Sequence, residues 1–135
     1  MRQSAAVFGL GLVLALGGCA TMGGGGAAHV NGAMDVWRAA LEAQDIDGMM
    51  SVYSENYSGQ QGGKPSVKYF LQDAKAQGWL SSLDIDTSNA VTEVDGGTAN
   101  YGPINIAAGG QYMTLEFELE KEDDGEWRIV GSDSY

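Results

Sequence analysis

From Ala33 onward the apolar positions first repeat at helical spacing and then alternate. Met34, Trp37 and Leu41, widened by Val36, Ala40 and Ala43, make one stripe, which predicts a helix over 33–44. Asp45 is placed to cap a second, shorter helix carrying Ile46, Met49, Met50 and Tyr53 on one side. The stretch 54–63 is polar and Gly-rich, a loop with room for a short strand at Tyr57. Pro65 suits the first turn of a third helix, with Val67, Phe70, Leu71 and Ala74 as its apolar face and Gly78 as its C-cap.

Beyond Trp79 the period falls to two. Asp95-Gly96-Gly97, Gly109-Gly110 and Asp123-Asp124-Gly125 read as hairpin turns between strands near 82–94, 98–107, 111–121 and 126–133. These turns set registers that can be compared. Leu119 falls opposite Ile129, Met113 opposite Ile106, and Leu115 opposite Ile104. Leu83, Ile85, Ile104, Ile106, Met113, Leu115, Phe117, Leu119, Trp127 and Ile129 then share one face, and Asp84, Asp86, Thr114, Glu116, Glu118, Glu120 and Arg128 the other. Separate turns converging on one apolar face predict an antiparallel meander. Tyr101 breaks the pattern, and a bulge at Gly102-Pro103 is expected to redirect it. Continuing the last register puts Gly131 opposite Phe117, Asp133 opposite Leu115 and Tyr135 opposite Met113, which turns Asp133 and Tyr135 inward.

The N-terminus has a different character. Met1 to Ser4 is short and positive, and Ala5 to Leu16 is apolar or Gly throughout. That run suits the core of a secretory leader and falls short of the roughly 20 residues that span a bilayer. Leu16-Gly17-Gly18-Cys19 resembles a lipobox, which implies a diacylglycerol on the Cys19 thiol, cleavage before Cys19, and acylation of the new amino group, as with palmitate. Ala20, in place of an Asp, implies sorting to the outer membrane. The expected organisation is a leader over 1–18, a lipidated Cys19 with a Gly-rich tether over 19–32, and a folded domain over 33–135. His29 falls in that tether, where it is expected to be solvated.

Three helices followed by a long antiparallel meander resemble the NTF2-like, or SnoaL-like and cystatin-like cone, superfamily. Asp45-Ile46-Asp47-Gly48-Met49-Met50-Ser51-Val52-Tyr53 looks like its first-to-second-helix region, and Gly125-Glu126-Trp127-Arg128-Ile129-Val130 like its last strand. The resemblance implies an α+β cone in which the helices pack on a curved antiparallel sheet around a pocket. Members include isomerases, dehydratases and binding or accessory domains, so the fold alone assigns no activity.

Composition narrows the choice. The net charge is −11, and the chain without residues 1–18 carries 6 basic and 18 acidic residues. Nucleic acid is excluded as a partner, because phosphate binding needs clustered Lys and Arg. Anionic headgroups repel such a chain, so membrane attachment falls to lipidated Cys19. The single Cys rules out disulfides within the chain. The 33–135 region contains neither His nor Cys, the usual general base near neutral pH and the usual strong nucleophile. The loop Tyr57-Ser58-Gly59-Gln60-Gln61 also lacks the carboxylate expected there from the isomerase-like members. Asp84-x-Asp86-x-Ser88 lacks the Gly and Glu of a calcium loop, and no cofactor or metal motif is present. The glutamates of the third long strand read as a solvated face, with a docking surface for a basic partner or a weak divalent-cation site as the alternative.

The candidate pocket residues are Tyr53, Tyr57, Trp79, Tyr112, Asp133 and Tyr135, with Trp79 and Tyr57 at the rim and Asp133 as polar anchor. The expected function is a lipid-anchored, periplasm-facing, non-catalytic domain that binds a small apolar ligand or an envelope protein. One alternative is an isomerase or dehydratase using Asp133 and a Tyr, and another is a structural subunit of an envelope complex. A homodimer stays open.

Overall fold

The computed structural model describes residues 26–60 and 62–135, so the leader, the lipobox and Cys19 lie outside the described residues. Helix α1 covers 26–42. It therefore includes seven residues that the sequence pattern assigned to the tether, and it ends slightly before the expected 44. Val30 explains the difference. It lies four residues ahead of Met34, extends the apolar stripe by one turn, and is fully buried. His29 is exposed, on this helix. Helix α2, Ile46–Met50, is capped as expected, with the Gly48 amide donating to Asp45 Oδ1 at 3.1 Å.

A small hairpin follows, β1 Ser58–Gly59 and β2 Gly62–Gly63, and leads directly into α3, Lys64–Ala76, with Pro65 in its first turn. Val67, Leu71 and Ala74 form the buried side of α3, while Phe70 is half exposed. Gly78, at φ +83°, ends the helix, and a single 3₁₀ turn at Leu80–Ser82 joins it to the sheet.

The sheet consists of β3 Asp84–Asp86, β4 Val91–Asp95, β5 Thr98–Ala108, β6 Gln111–Lys121 and β7 Trp127–Ser134. All pairings are antiparallel, in the order β3-β5-β6-β7, with β4 on the same edge of β5 as β3. The expected strand at 82–94 is thus two strands on one edge. The break at 87–90 lies beside the irregular stretch of β5, where Tyr101 pairs with Phe117 and Ile104 with Leu115, leaving Gly102 and Pro103 opposite Glu116 alone. That bulge turns Tyr101 to the core side, as expected. The pairs Leu119–Ile129, Ile106–Met113 and Ile104–Leu115 have the predicted register.

The core lies between the helices and the apolar face of the sheet. Ile104, Leu119 and Ile129 are fully buried, with Trp37, Phe117 and Trp127 nearly so. Trp37 meets Phe117 edge to face at 5.1 Å. Arg38 fastens α1 to the sheet edge, donating to the Ile85 carbonyl and to Thr87 Oγ1, each at 2.8 Å. The Ser54 amide donates to the Ile129 carbonyl and the Ile129 amide to that of Val52, so the chain after α2 runs parallel to β7 for one bridge.

Candidate functional site

A cleft of about 250 Å³ opens between α3 and the sheet. Val67, Phe70, Leu71 and Ala74 supply the helical wall; Ile106, Ala108, Met113 and Leu115 supply the facing strands. The floor is aromatic. Tyr53 contacts Tyr57 at 5.1 Å and Phe117 at 6.3 Å, both edge to face, with Trp37 beside Phe117. At the mouth Phe70, Trp79, Tyr112 and Met113 are all substantially exposed. Large apolar side chains thus cluster around the opening.

The polar groups in the cleft are neutral. Tyr57 and Ser132 share a hydrogen bond of 2.6 Å between their hydroxyls, and Ser134 Oγ donates to Gln60 Oε1 at 2.5 Å. Gln111 stands at the mouth. Burial pushes the Tyr53 hydroxyl far above its usual pKa range, against the opposing pull of the Trp37 indole, and the nearby Tyr57 adds to the rise. No Asp, Glu, Lys, Arg or His is among the described residues that line the cleft.

Four of the expected pocket residues, Tyr53, Tyr57, Trp79 and Tyr112, line this cleft. Tyr57 is buried rather than at the rim, and Tyr112 takes the exposed position instead. Asp133 and Tyr135 do not belong to it. Between Leu119–Ile129 and Glu118–Gly131 the register slips by one residue, and Val130 is the extra one. Beyond that bulge Asp133 pairs with Glu116 on the outer face, and Tyr135 donates its hydroxyl to Glu116 Oε2 at 2.8 Å. This corrects the inward placement of both residues and removes Asp133 as the polar anchor or base of the cleft. Burial of a carboxylate is costly where no donor awaits it, whereas a serine hydroxyl is easily satisfied. Accordingly Ser132 and Ser134 face inward. Neither was anticipated, although a lone Gly inside a strand, here Gly131, is a recognised sign of a bulge.

The outer face holds a second groove of about 430 Å³, bordered by Glu93, Glu116, Glu118 and Asp133. Among the described residues no three His, Cys, Asp or Glu side chains are grouped so as to hold a metal ion. No helix of the described residues is long and apolar enough to cross a membrane.

No protein-family model matches the sequence, and no curated protein matches it either. Solved structures do. An NTF2-like protein of unknown function from Pseudomonas putida aligns with a TM-score of 0.68 at 13% identity, over 82% of this chain and 85% of that one. A candidate dehydratase from the NTF2-like family of Streptomyces avermitilis aligns with a TM-score of 0.68 at 16% identity, over 83% and 96%. Bd1075 of Bdellovibrio bacteriovorus aligns with a TM-score of 0.65 at 15% identity, and this chain spans only 38% of its length. The chain has the NTF2-like cone fold: helices packed against a curved antiparallel sheet. At such identities the likeness extends to the fold and no further.

Proposed function

We propose that the domain is a binding module for a small, uncharged, largely apolar molecule held between α3 and the sheet. The observation that carries this reading is a cleft whose walls are apolar, whose polar groups are neutral hydroxyls and amides, and whose mouth is ringed by exposed aromatics. An ionised ligand would be stripped of water with no opposite charge to meet it. Size limits the ligand as well. A cavity of about 150 Å³ accepts benzene, so 250 Å³ corresponds to about ten non-hydrogen atoms fully enclosed. Anything larger would protrude past Trp79 and Tyr112.

The reading extends to where the module works. Lipidation at Cys19 would leave only a few residues before α1 begins to be described, and Gly26 lies against Val94, at the Gly96-Gly97 end of the sheet. The cleft opens at the Gly109-Gly110 end. A lipid at Cys19 would therefore hold the closed end toward the outer membrane and leave the mouth toward the periplasm.

Indane, an uncharged bicyclic hydrocarbon of the right size, tests the pocket. Trp37 and Trp79 line the cleft and Trp127 does not, so nuclear magnetic resonance of the three indole N–H groups has a built-in control. Saturable shifts at Trp37 and Trp79, with Trp127 unmoved, are expected. Ala108→Phe, at the mouth, should abolish them, and Asp133→Asn should leave them unchanged. The absence of a saturable shift would exclude the reading.

A further inference from the structure

The borders of the sheet are not equally covered. Along β7 runs the chain after α2, with the Ser54 amide on the Ile129 carbonyl and the Ile129 amide on that of Val52. At β3 the Ile85 carbonyl accepts from Arg38. β4 has no such cover: among the described residues its backbone pairs with β5 alone. Hairpin geometry tells which of its groups are left over. Gly96 and Gly97 join Asp95 to Thr98, and the pair that closes a two-residue turn exchanges both of its hydrogen bonds. By alternation Glu93 and Val91 also bond toward β5, and the amides and carbonyls of Thr92 and Val94 point to the open side. Asn31 meets the Thr92 side chain, not its backbone. β4 also lacks the Pro, Lys or bulge that commonly blunts an exposed edge, and its Val and Thr residues favour pairing.

The outer face beside this edge sets the charge of what can pair there. Glu93 projects to that face, where Asn100, Glu118 and Gly131 follow it strand by strand at a spacing of about 4.8 Å. The groove that begins at Val91 and Glu93 continues to Glu116, Glu118 and Asp133, and no Lys, Arg or His is among the described residues that line it. Val91, at the same edge, is more than half exposed. We infer that the open edge of β4 is a strand-addition site for an extended basic segment of another protein, with a Lys or Arg of that segment set beside Glu93 at the head of the groove. Two other occupants fit less well. A second copy paired antiparallel about Glu93 would set that carboxylate against its twin, with Cα atoms about 4.5 Å apart, where like charges repel. Residues 20–25 of this chain, Ala-Thr-Met-Gly-Gly-Gly, carry no cation and are half glycine, a poor strand former.

A short capped peptide that alternates threonine and lysine tests the site. Added antiparallel, it sets its lysines on the Glu93 side and turns the amides of its threonines toward β4. Saturable binding is expected. The Thr92 and Val94 amide resonances should move downfield and exchange more slowly with solvent, while the Glu93 amide, already bonded to β5, changes little. N-methylation separates strand pairing from charge on the wild-type protein. Methyl groups on the backbone nitrogens of the lysines, which face away from β4, should leave the affinity unchanged. Methyl groups on those of the threonines should abolish binding. Glu93→Lys, at an exposed position, should weaken the parent peptide by about tenfold. A threonine-methylated peptide that binds as well as its parent would reduce the site to a general attraction of cations and overturn strand addition. So would a parent peptide that does not bind, or a free protein whose Thr92 and Val94 amides are already protected in a dimer. An unchanged affinity in Glu93→Lys would refute the call for a basic segment.

Discussion

At the scale of single residues, the most informative group outside the cleft is Ser54. It is fully buried, accepts from the Asn56 amide at 3.0 Å, and donates to Glu122 Oε2 at 2.5 Å. Arg128 completes the arrangement with bonds of 2.8 Å to Glu122 and 2.9 Å to Asp124. The Ser54 hydroxyl first, and Arg128 second, hold the Glu122 carboxyl below its ordinary value near 4.5. A carboxyl lowered in the folded state stabilises the fold above its unfolded pKa, and that contribution is lost as pH falls through the folded one. Urea midpoints of the wild type and Glu122→Gln should therefore differ at pH 7 and converge below about pH 4.5. A difference that persists unchanged at pH 3 would show that the link acts through packing rather than charge.

At the scale of elements, two bulges decide which side chains face the core. In β5, Gly102 has φ +153°, and a Cβ placed there would stand 2.8 Å from Glu116 Cγ and 3.1 Å from the Leu115 carbonyl oxygen. Both the conformation and the crowding need glycine. Gly102→Ala should lower stability by about 1–3 kcal/mol, the usual cost of a strained backbone site, measured as a shift in the urea midpoint at constant slope. An unaltered midpoint would mean that the bulge relaxes without cost. In β7 the extra residue Val130 swaps the inner and outer sets, and Asp133 goes out as Ser132 comes in. The bulge in β5 was legible because Tyr101 sat out of phase and a Gly-Pro pair stood beside it. The bulge in β7 left no such conflict. Gly131, Asp133 and Tyr135 alternate as readily as Ser132 and Ser134, and only Gly131 hinted at it.

At the scale of the whole molecule, the acidic surface and the apolar cleft belong to opposite faces of one sheet. Glu93, Glu116, Glu118 and Asp133 border the outer groove, while the cleft is lined by uncharged residues. A chain of net charge −11 gains nothing from an anionic bilayer, so the proposed attachment depends on Cys19 alone. Cys19→Ser should release the protein from the membrane fraction into the soluble envelope fraction. Retention of the variant in the detergent-requiring fraction would refute lipidation as the means of attachment. The same separation of faces explains which features of the site could be read in advance. Turn residues and a period of two identified the apolar face, and that face and three helices together imply an enclosed region. The size of the gap between α3 and the strands depends on how the helix and sheet pack in the assembled domain, which no local pattern records.

Local chemistry along the chain determined the element types, three hairpin turns, the Asp45 cap and most cross-strand pairs, because each depends on residues close in sequence or on strict alternation. It also determined that Trp37, Phe117 and Trp127 would be in the core, since each falls on an apolar stripe. Val30 continues the apolar stripe of α1 by one turn, but tertiary structure decided that this spacing prevails over the Gly-rich residues around it, because the turn is held by burial against the rest of the domain. Tertiary structure alone decided that Ser132 rather than Asp133 faces the cleft, because a single unpaired residue in a strand inverts everything beyond it and is set by the twist of the assembled sheet.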